Sequence, residues 1–248
     1  MSTLVTTVSE WEGFSVLKFE FDGMPAKLVR PHGNANGKWA LRTEYFGAFA
    51  QVDRALLERG WHLAFLQNDN RWAQEGDLVR KEAFVEFVSR TFDLAEKCTL
   101  IGMSCGGLYA VMLAARIPER MDVLYLDAPV LNLLSCPCDM GVAQSGLFEE
   151  FHRFTGKTKS EMLSYRNHPI DLLPILLAHD IPVVLVAGDS DRTVPYTENG
   201  AILAEQYRAK GGRLWVHLKV ECDHHPHSLE NPTPIADAIE VFSKENEV

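Results

Sequence analysis

The sequence lacks the features that mark membrane, secreted and nucleic-acid-binding proteins. No apolar run among its 248 residues approaches the length of a transmembrane helix. Residues 1–13 include two glutamates and no apolar stretch typical of a signal peptide. There is no lysine- or arginine-rich run, and the formal net charge is -10. We therefore expect a cytoplasmic protein with neither a membrane nor a nucleic-acid partner.

Cysteine is scarce, with five residues in the chain. An odd number of scattered cysteines is typical of reduced thiols and not of a disulfide framework. Cys136 and Cys138 flank a proline, but no second Cys/His pair follows at the spacing of zinc ligands. We therefore expect no metal and no other cofactor. The five cysteines are Cys98, Cys105, Cys136, Cys138 and Cys222.

A serine between two glycines lies near the middle of the chain. The motif Gly-Met-Ser-Cys-Gly occupies residues 102–106, with an apolar strand pattern before it and a helical pattern after it. This is Gly-x-Ser-x-Gly in the strand–turn–helix context of a nucleophile elbow. The glycines let the strand and helix backbones approach closely, and the helix N-terminus lies beside the serine. The pattern predicts Ser104 as a nucleophile and the Cys105 N–H as an oxyanion donor.

Strand patterns alternate with amphipathic helix patterns along the chain. Residues 14–21 and 24–30 are predicted to form an antiparallel hairpin. Short apolar strands then alternate with helices, which is typical of a mostly parallel, doubly wound α/β sheet. The pattern loosens over about 131–169, which predicts a small cap inserted into a single domain spanning 1–248. The remaining predicted strands are 61–66, 98–101, 121–126, 182–187 and 214–218, and the predicted helices are 43–58, 78–92, 108–115, 171–179, 197–210 and 233–243.

A serine hydroxyl needs a neighbouring base and an orienting carboxylate, and two loops supply candidates. The loop after the strand 182–187 holds Asp189 and Asp191. Asp127 also follows a predicted strand. Loops at the carboxyl ends of parallel strands meet at one edge of the sheet, so these side chains can converge. The loop after the last strand holds three histidines, His224, His225 and His227.

The order Ser, Asp, His is that of the α/β-hydrolases, and the chain resembles an α/β-hydrolase-fold serine hydrolase over nearly its whole length. Gly-x-x-Asp-x-x-Val-Pro at 188–195 is similar to the family's acid loop, which implies Asp191 as the acid. His-His-Pro-His at 224–227 resembles the histidine loop of a bacterial esterase-like group, which implies His224 as the base. The family often has glycine before this histidine, where this sequence has Asp223. The resemblance implies the α/β-hydrolase fold and a triad completed by Ser104.

Several residues are alternatives to parts of this triad. His225 and His227 are competing bases, although Pro226 should hold His225 extended so that its ring points away from that of His224. Asp127 could supply the carboxylate, or it could be a turn residue before Pro129. Asp189 could likewise be a local turn or cap residue.

The second oxyanion donor is expected in the loop that follows the strand ending at Arg30. His-Gly-Asn at 32–34 partly resembles the family's His-Gly-Gly motif, although the segment from Trp39 to Arg42 complicates the alignment. A backbone N–H between Asn34 and Trp39 would serve, with Asn34 as the candidate residue.

Aromatic residues interleaved with Asn and Asp suggest a sugar-binding rim. Trp39 and Trp72 could stack on a sugar, or they could pack beneath the cap. We predict a serine esterase that forms an acyl-enzyme on a small-molecule substrate, a short-acyl or carbohydrate-linked ester. A peptidase, thioesterase or lyase on the same scaffold is the alternative, followed by a non-catalytic binding protein. The sequence leaves the oligomeric state open.

Overall fold

The computed structural model describes residues 5–246, which form one twisted sheet with helices on both faces. Nine strands lie side by side in the order β1-β2-β3-β5-β4-β6-β7-β8-β9 in this part of the chain. The strands from β4 onward are parallel, while β1 to β3 are antiparallel to their neighbours. The strands are β1 (Thr7–Trp11), β2 (Phe14–Phe21), β3 (Met24–Val29), β4 (Trp39–Arg42), β5 (His62–Leu66), β6 (Cys98–Met103), β7 (Met121–Asp127), β8 (Val183–Gly188) and β9 (Leu214–Lys219).

Two helical layers cover the sheet. Residues of α1 and α8 pack on one face, and residues of α2, α3, α6 and α7 pack on the other. Strand β8 is buried from both sides: Val183 and Leu185 face one core, and Val184 and Val186 face the other. Burial on both faces explains its uninterrupted apolar sequence. The helices are α1 (Gln51–Glu58), α2 (Glu75–Phe92), α3 (Cys105–Arg116), α4 (Phe148–Thr155), α5 (Lys159–Ser164), α6 (Pro169–Ala178), α7 (Gly200–Lys210) and α8 (Thr233–Glu245).

This architecture confirms the α/β-hydrolase fold expected from the sequence, a mostly parallel doubly wound sheet with an antiparallel N-terminal hairpin. The segment expected as a cap contains α4 and α5. Its two ends meet, because the Ile170 N–H donates to the Leu131 carbonyl at 3.1 Å. No helix in residues 5–246 is both long enough and apolar enough to cross a lipid bilayer.

Two strands were missed, and one helix was predicted too early. Strand β1 precedes the predicted hairpin. Strand β4 occupies four buried residues within the stretch interpreted as a loop followed by a helix. Helix α1 begins at Gln51 and not at residue 43. Residues 43–50 form a loop in which Tyr45 and Phe49 adopt positive φ, so their apolar spacing does not reflect a helix.

Candidate active site

Ser104 occupies a strained turn between β6 and α3. Its φ and ψ of 52° and -121° lie outside the backbone regions that residues other than glycine favour. The turn is held by the Ser104 N–H, which donates to the Asp127 carbonyl at 3.0 Å. A Cβ on Gly102 would lie 2.6 Å from the Gly106 carbonyl oxygen, so strand and helix can come this close only without a side chain there. The sequence therefore forms the predicted elbow.

The histidine and aspartate predicted as partners of Ser104 converge on it. His224 Nε2 lies 3.1 Å from Ser104 Oγ, and His224 Nδ1 lies 2.8 Å from Asp191 Oδ2. Asp191 and His224 are 5% and 8% exposed, so water has little access to compete for these contacts. The three side chains form a continuous hydrogen-bonded chain with the geometry of a nucleophile, a base and an orienting acid.

The acid loop after β8 is fixed against the histidine loop after β9. The second carboxylate oxygen of Asp191 accepts the N–H groups of Thr193 and Val194 at 2.9 and 2.8 Å. Gly188 ends β8 at a point where an added Cβ would lie 2.2 Å from the Cys222 carbonyl oxygen. Close backbone packing therefore brings Asp191 within reach of the histidine loop.

Asp223, which replaces the family's glycine, connects the same two loops. Its Oδ1 accepts the backbone N–H groups of Arg192 at 2.9 Å and of His224 at 2.8 Å. Its Oδ2 accepts from the Arg192 guanidinium at 2.8 and 3.0 Å. Hydrogen bonds from Arg192 lower the pKa of Asp223 to about 2. Asp223 therefore contacts the backbone beside both the acid and the base.

The alternative carboxylates have other partners. Asp127 is buried at the end of β7, where it accepts from His227 Nδ1 at 2.9 Å and from the Ser228 N–H. Asp189 accepts the hydroxyl of the neighbouring Ser190 and the N–H of Glu221, which lies in the loop after β9. Neither carboxylate contacts His224.

The ring of His225 does not point away from that of His224, contrary to our expectation from Pro226. The two ring centroids are 4.8 Å apart, and each lies 4.9 Å from the centroid of His227. The exposed His225 ring stacks on Phe49 at 5.4 Å. Packing against this loop residue gathers all three rings beside Ser104.

Asn34 is not near the elbow, so the prediction that it donates to an oxyanion was wrong. Strand β3 runs antiparallel to β5, and the loop after it therefore emerges at the edge where the parallel strands begin. Consistent with that position, the Asn36 N–H donates to the carbonyl of Gly60, just before β5. Ser104 lies at the opposite edge of the sheet.

The loop beside the elbow is instead residues 43–48, which follow β4. The Thr43 hydroxyl contacts the carbonyl oxygens of Ile101 and Gly106 at 3.0 and 2.7 Å. Tyr45 faces the same cavity as Ser104. We therefore expect the second oxyanion donor in this loop. The first expected donor is the N–H of Cys105, which lies in the first turn of α3, where helical N–H groups lack intrahelical acceptors.

A buried arginine shapes this loop and was missed by sequence reasoning. Arg42 is fully buried and pairs with Asp53 at 2.7 Å. Its guanidinium also donates to the carbonyl oxygens of Glu44 and Ala48. The only signal in the sequence is a charged residue at the end of a short apolar run. Arg42 thus folds the loop back on the end of β4.

The two tryptophans do not contribute to the walls around Ser104. Trp39 begins β4 at the far end of the sheet, is 1% exposed, and donates its indole N–H to the Ala95 carbonyl at 2.8 Å. Its predicted contact with substrate was therefore wrong. Trp72 packs edge-on against Phe151 of α4 and lines a separate cavity of about 250 Å³. Trp72 therefore packs beneath the cap, which is the second of the two positions considered for it.

A cavity of about 370 Å³ opens beside the triad. Burial raises the pKa of the neighbouring Cys105 thiol to about 11, so this thiol is protonated at neutral pH and does not compete as a nucleophile. Arg71 pairs with Glu150 of α4 and so joins the cap to this wall. The cavity is lined by Arg42, Tyr45, Ala48, Phe49, Arg71, Met103, Ser104, Ser145, Leu147, Thr193, His224, His225 and His227.

Comparison with known families agrees with this geometry. Residues 67–240, which include all three triad positions, match the model of the prolyl oligopeptidase family. The chain belongs to the prolyl oligopeptidase family. This family is part of the α/β-hydrolase superfamily, as the elbow motif and the chain order Ser, Asp, His had led us to expect.

Solved structures with the same fold include peptidases and an esterase. The chain is 13% identical to the acylaminoacyl peptidase of Pyrococcus horikoshii (TM-score 0.69), covering 100% of this chain and 42% of the other. It is 15% identical to the S-formylglutathione hydrolase of Agrobacterium tumefaciens (TM-score 0.63), covering 96% and 98% of the two chains. Against puromycin hydrolase the identity is 13% (TM-score 0.70), with 99% and 39% covered. The chain therefore spans about two fifths of the length of the acylaminoacyl peptidase and of puromycin hydrolase, and nearly the full length of the S-formylglutathione hydrolase.

Proposed function

We propose that this protein is a serine hydrolase that cleaves a carboxylic ester of a small substrate through an acyl-enzyme. The observation that carries the proposal is the unbroken contact from Asp191 through His224 to Ser104 Oγ. An imidazole held at both nitrogens in this way can accept the proton of a hydroxyl that is otherwise a poor nucleophile.

In the first half of the reaction, Ser104 Oγ attacks the ester carbonyl carbon while His224 Nε2 takes the hydroxyl proton. Asp191 stays ionised, keeps the His224 Nδ1–H oriented, and stabilises the imidazolium. The Cys105 N–H, with a donor from the loop 43–48, receives the negative charge on the carbonyl oxygen. The tetrahedral intermediate collapses, His224 returns its proton to the leaving alkoxide, and Ser104 keeps the acyl group.

In the second half, water replaces the alcohol. His224 takes a proton from the water as its oxygen attacks the acyl carbon, and it then gives that proton to Ser104 Oγ as the acid is released. The chain needs no further group for these steps, because the same imidazole serves both halves.

The lining of the cavity favours a substrate with a small acyl group that is neutral or anionic. Its apolar lining includes Phe49, Met103 and Leu147, and its charged lining residues are the arginines Arg42 and Arg71. No aspartate or glutamate is among its lining residues in the described part of the chain. A free peptide N-terminus would bring an unpaired ammonium into this cavity, which is unfavourable. Because Trp39 is buried in the core, the support for a sugar moiety is weaker than the support for a short acyl ester.

A peptidase is the second candidate, favoured by membership of the prolyl oligopeptidase family and by the fold shared with an acylaminoacyl peptidase. An N-blocked peptide would avoid the unpaired ammonium. The same triad could cleave its amide bond, with an amine as leaving group.

The two candidates are separated by hydrolysis rates on a substrate panel. The panel comprises p-nitrophenyl acetate, p-nitrophenyl butyrate, an acetylated oligosaccharide and N-acetyl-alanine p-nitroanilide. We expect wild type and Ser164→Ala, a control at an exposed serine of α5, to hydrolyse the p-nitrophenyl esters fastest. Ser104→Ala should lose at least about 10³-fold in kcat. Equal rates in wild type and Ser104→Ala would overturn the proposal, and faster anilide cleavage would establish the peptidase.

A further inference from the structure

Three histidines from one short segment form a cluster at the rim of the cavity. One nitrogen from each of His224, His225 and His227 lies within 4.8 Å of the others. His224 and His227 are buried, and His225 is exposed. The catalytic role proposed above uses only His224, so the approach of the other two rings to it has no explanation in the hydrolytic steps.

Two of the rings are oriented as metal-binding histidines are. His224 Nδ1 contacts Asp191, and His227 Nδ1 contacts Asp127, at 2.8 and 2.9 Å. A carboxylate on one imidazole nitrogen fixes the tautomer and leaves a lone pair on the other nitrogen, which is the usual arrangement around a histidine that ligates a metal. The structure thus holds two carboxylate–histidine pairs side by side, and catalysis requires one of them.

The third ring can complete the set. Neither ring nitrogen of His225 has a hydrogen-bond partner among residues 5–246, and its ring is held only by aromatic contacts. In a tetrahedral zinc site with Zn–N bonds of about 2.0–2.1 Å, ligand nitrogens lie about 3.3 Å apart. No two of these ligand nitrogens are more than 4.8 Å apart, so no pair must close by more than about 1.5 Å. The His225 side chain is exposed, so its ring can rotate towards the other two.

We propose that His224, His225 and His227 form a binding site for one divalent transition-metal ion of the zinc type, whose occupation blocks hydrolysis. Three neutral imidazoles suit Zn²⁺, Cu²⁺ or Ni²⁺ and not Mg²⁺ or Ca²⁺, which require oxygen ligands. The fourth position of the ion is left for water.

The inhibitory effect follows from the atom that the metal would coordinate, His224 Nε2. It rests on the proposed role of His224 as base. The lone pair of His224 Nε2 that accepts the Ser104 proton is the one that would bind the metal. An imidazole coordinated at that atom cannot take the proton, so Ser104 stays a neutral hydroxyl. Removal of the ion by a chelator restores the lone pair and the activity.

The site is tested first by calorimetry, which does not depend on turnover. Zn²⁺ is titrated into metal-free wild type, His225→Gln, His227→Gln and the control His179→Gln, which changes an exposed histidine next to α6. We expect one zinc ion per chain in wild type and in His179→Gln, and at least about tenfold weaker binding in the other two variants. Because His225 is exposed, His225→Gln should fold normally even if His227→Gln, which removes a partner of buried Asp127, does not. Wild-type affinity in His225→Gln would overturn the site.

The block on hydrolysis is tested by ester turnover with increasing Zn²⁺, each variant being compared with its own metal-free rate. We expect Zn²⁺ to inhibit wild type reversibly, Mg²⁺ to leave it unaffected, and His225→Gln to need at least about tenfold more Zn²⁺. Unchanged or increased turnover in zinc-bound wild type would overturn the inhibitory role. If no ester is hydrolysed by the metal-free protein, the proposed function fails while the calorimetry still decides the metal site.

Discussion

Asp223 Oδ1 accepts the backbone N–H of Arg192 at 2.9 Å and the backbone N–H of His224 at 2.8 Å, so a single oxygen atom joins the acid loop to the histidine loop. Arg192 is the residue next after Asp191, and His224 is itself the predicted base. Where the wider family often has glycine, this protein has a side chain that links the backbones of the two loops carrying Asp191 and His224.

We predict that Asp223→Ala lowers kcat about tenfold with little change in KM, because a small displacement of His224 from Ser104 costs more in the transition state than in binding. Asp223→Asn should recover most of the rate, since its amide oxygen can still accept both N–H groups. Steady-state kinetics of the two variants on p-nitrophenyl acetate checks this. Equal losses in both variants would mean that the guanidinium contact and not the shared oxygen is what matters.

Gly102 should tolerate no side chain. An alanine there places Cβ 2.6 Å from the Gly106 carbonyl oxygen, which is backbone and cannot rotate away. We predict a loss of about 3 kcal/mol in the free energy of unfolding, measured by urea denaturation. Gly76→Ala in α2 is the matched control, because its Cβ meets nothing within 4 Å. It should change stability by no more than about 1 kcal/mol, towards greater stability. Similar losses in both variants would contradict the close-packing account of the elbow.

Lys81 should make stability rise with pH in the alkaline range. Burial lowers its pKa to about 8, despite the nearby carboxylates of Glu44 and Asp77. Between that value and the ordinary lysine pKa, the unfolded chain holds the proton and the folded chain does not, so unfolding becomes less favourable as pH rises. The free energy of unfolding of wild type minus that of Lys81→Met should therefore increase from about pH 8 to about pH 10. Urea denaturation across this range checks the sign, and a constant or falling difference would contradict it.

Leu147 should limit the size of the acyl group. It lies at the start of α4, in the cap, and lines the cavity with Ser104. We predict that Leu147→Trp lowers kcat/KM for p-nitrophenyl hexanoate at least about tenfold, and for the acetate less than about threefold. Leu163→Trp, on an exposed side chain of α5, is the control. A uniform loss on both esters in Leu147→Trp would place the acyl group elsewhere.

The convergence of Ser104, Asp191 and His224 could be predicted from the sequence because each of these residues follows a strand and lies in a short local motif. Ser104 is flanked by glycines whose close approach the structure bears out, and Asp191 lies in a Gly-x-x-Asp-x-x-Val-Pro loop that starts at the end of β8. Parallel strands deliver such loops to one edge of the sheet, so a sequence pattern was enough to bring the three side chains together.

The residues that line the cavity could not be predicted from the sequence, because their positions depend on contacts between segments that are distant along the chain. The position of β4 between β5 and β6 decides which loop reaches the elbow, and nothing in the sequence specifies that order. Arg42 folds residues 43–48 through its pair with Asp53 and its bond to Ala48, which no local pattern reveals. Assigning the oxyanion loop to Asn34 followed from missing this strand.

Labelling by a fluorophosphonate, located by peptide mass spectrometry, tests most directly whether Ser104 is a nucleophile activated by His224. Wild type should form one covalent adduct on the peptide containing Ser104. Ser104→Ala should form none, and His224→Ala should react at least about 10³-fold more slowly. Labelling of wild type that is no faster than that of His224→Ala, or an adduct on a different residue, would contradict the account.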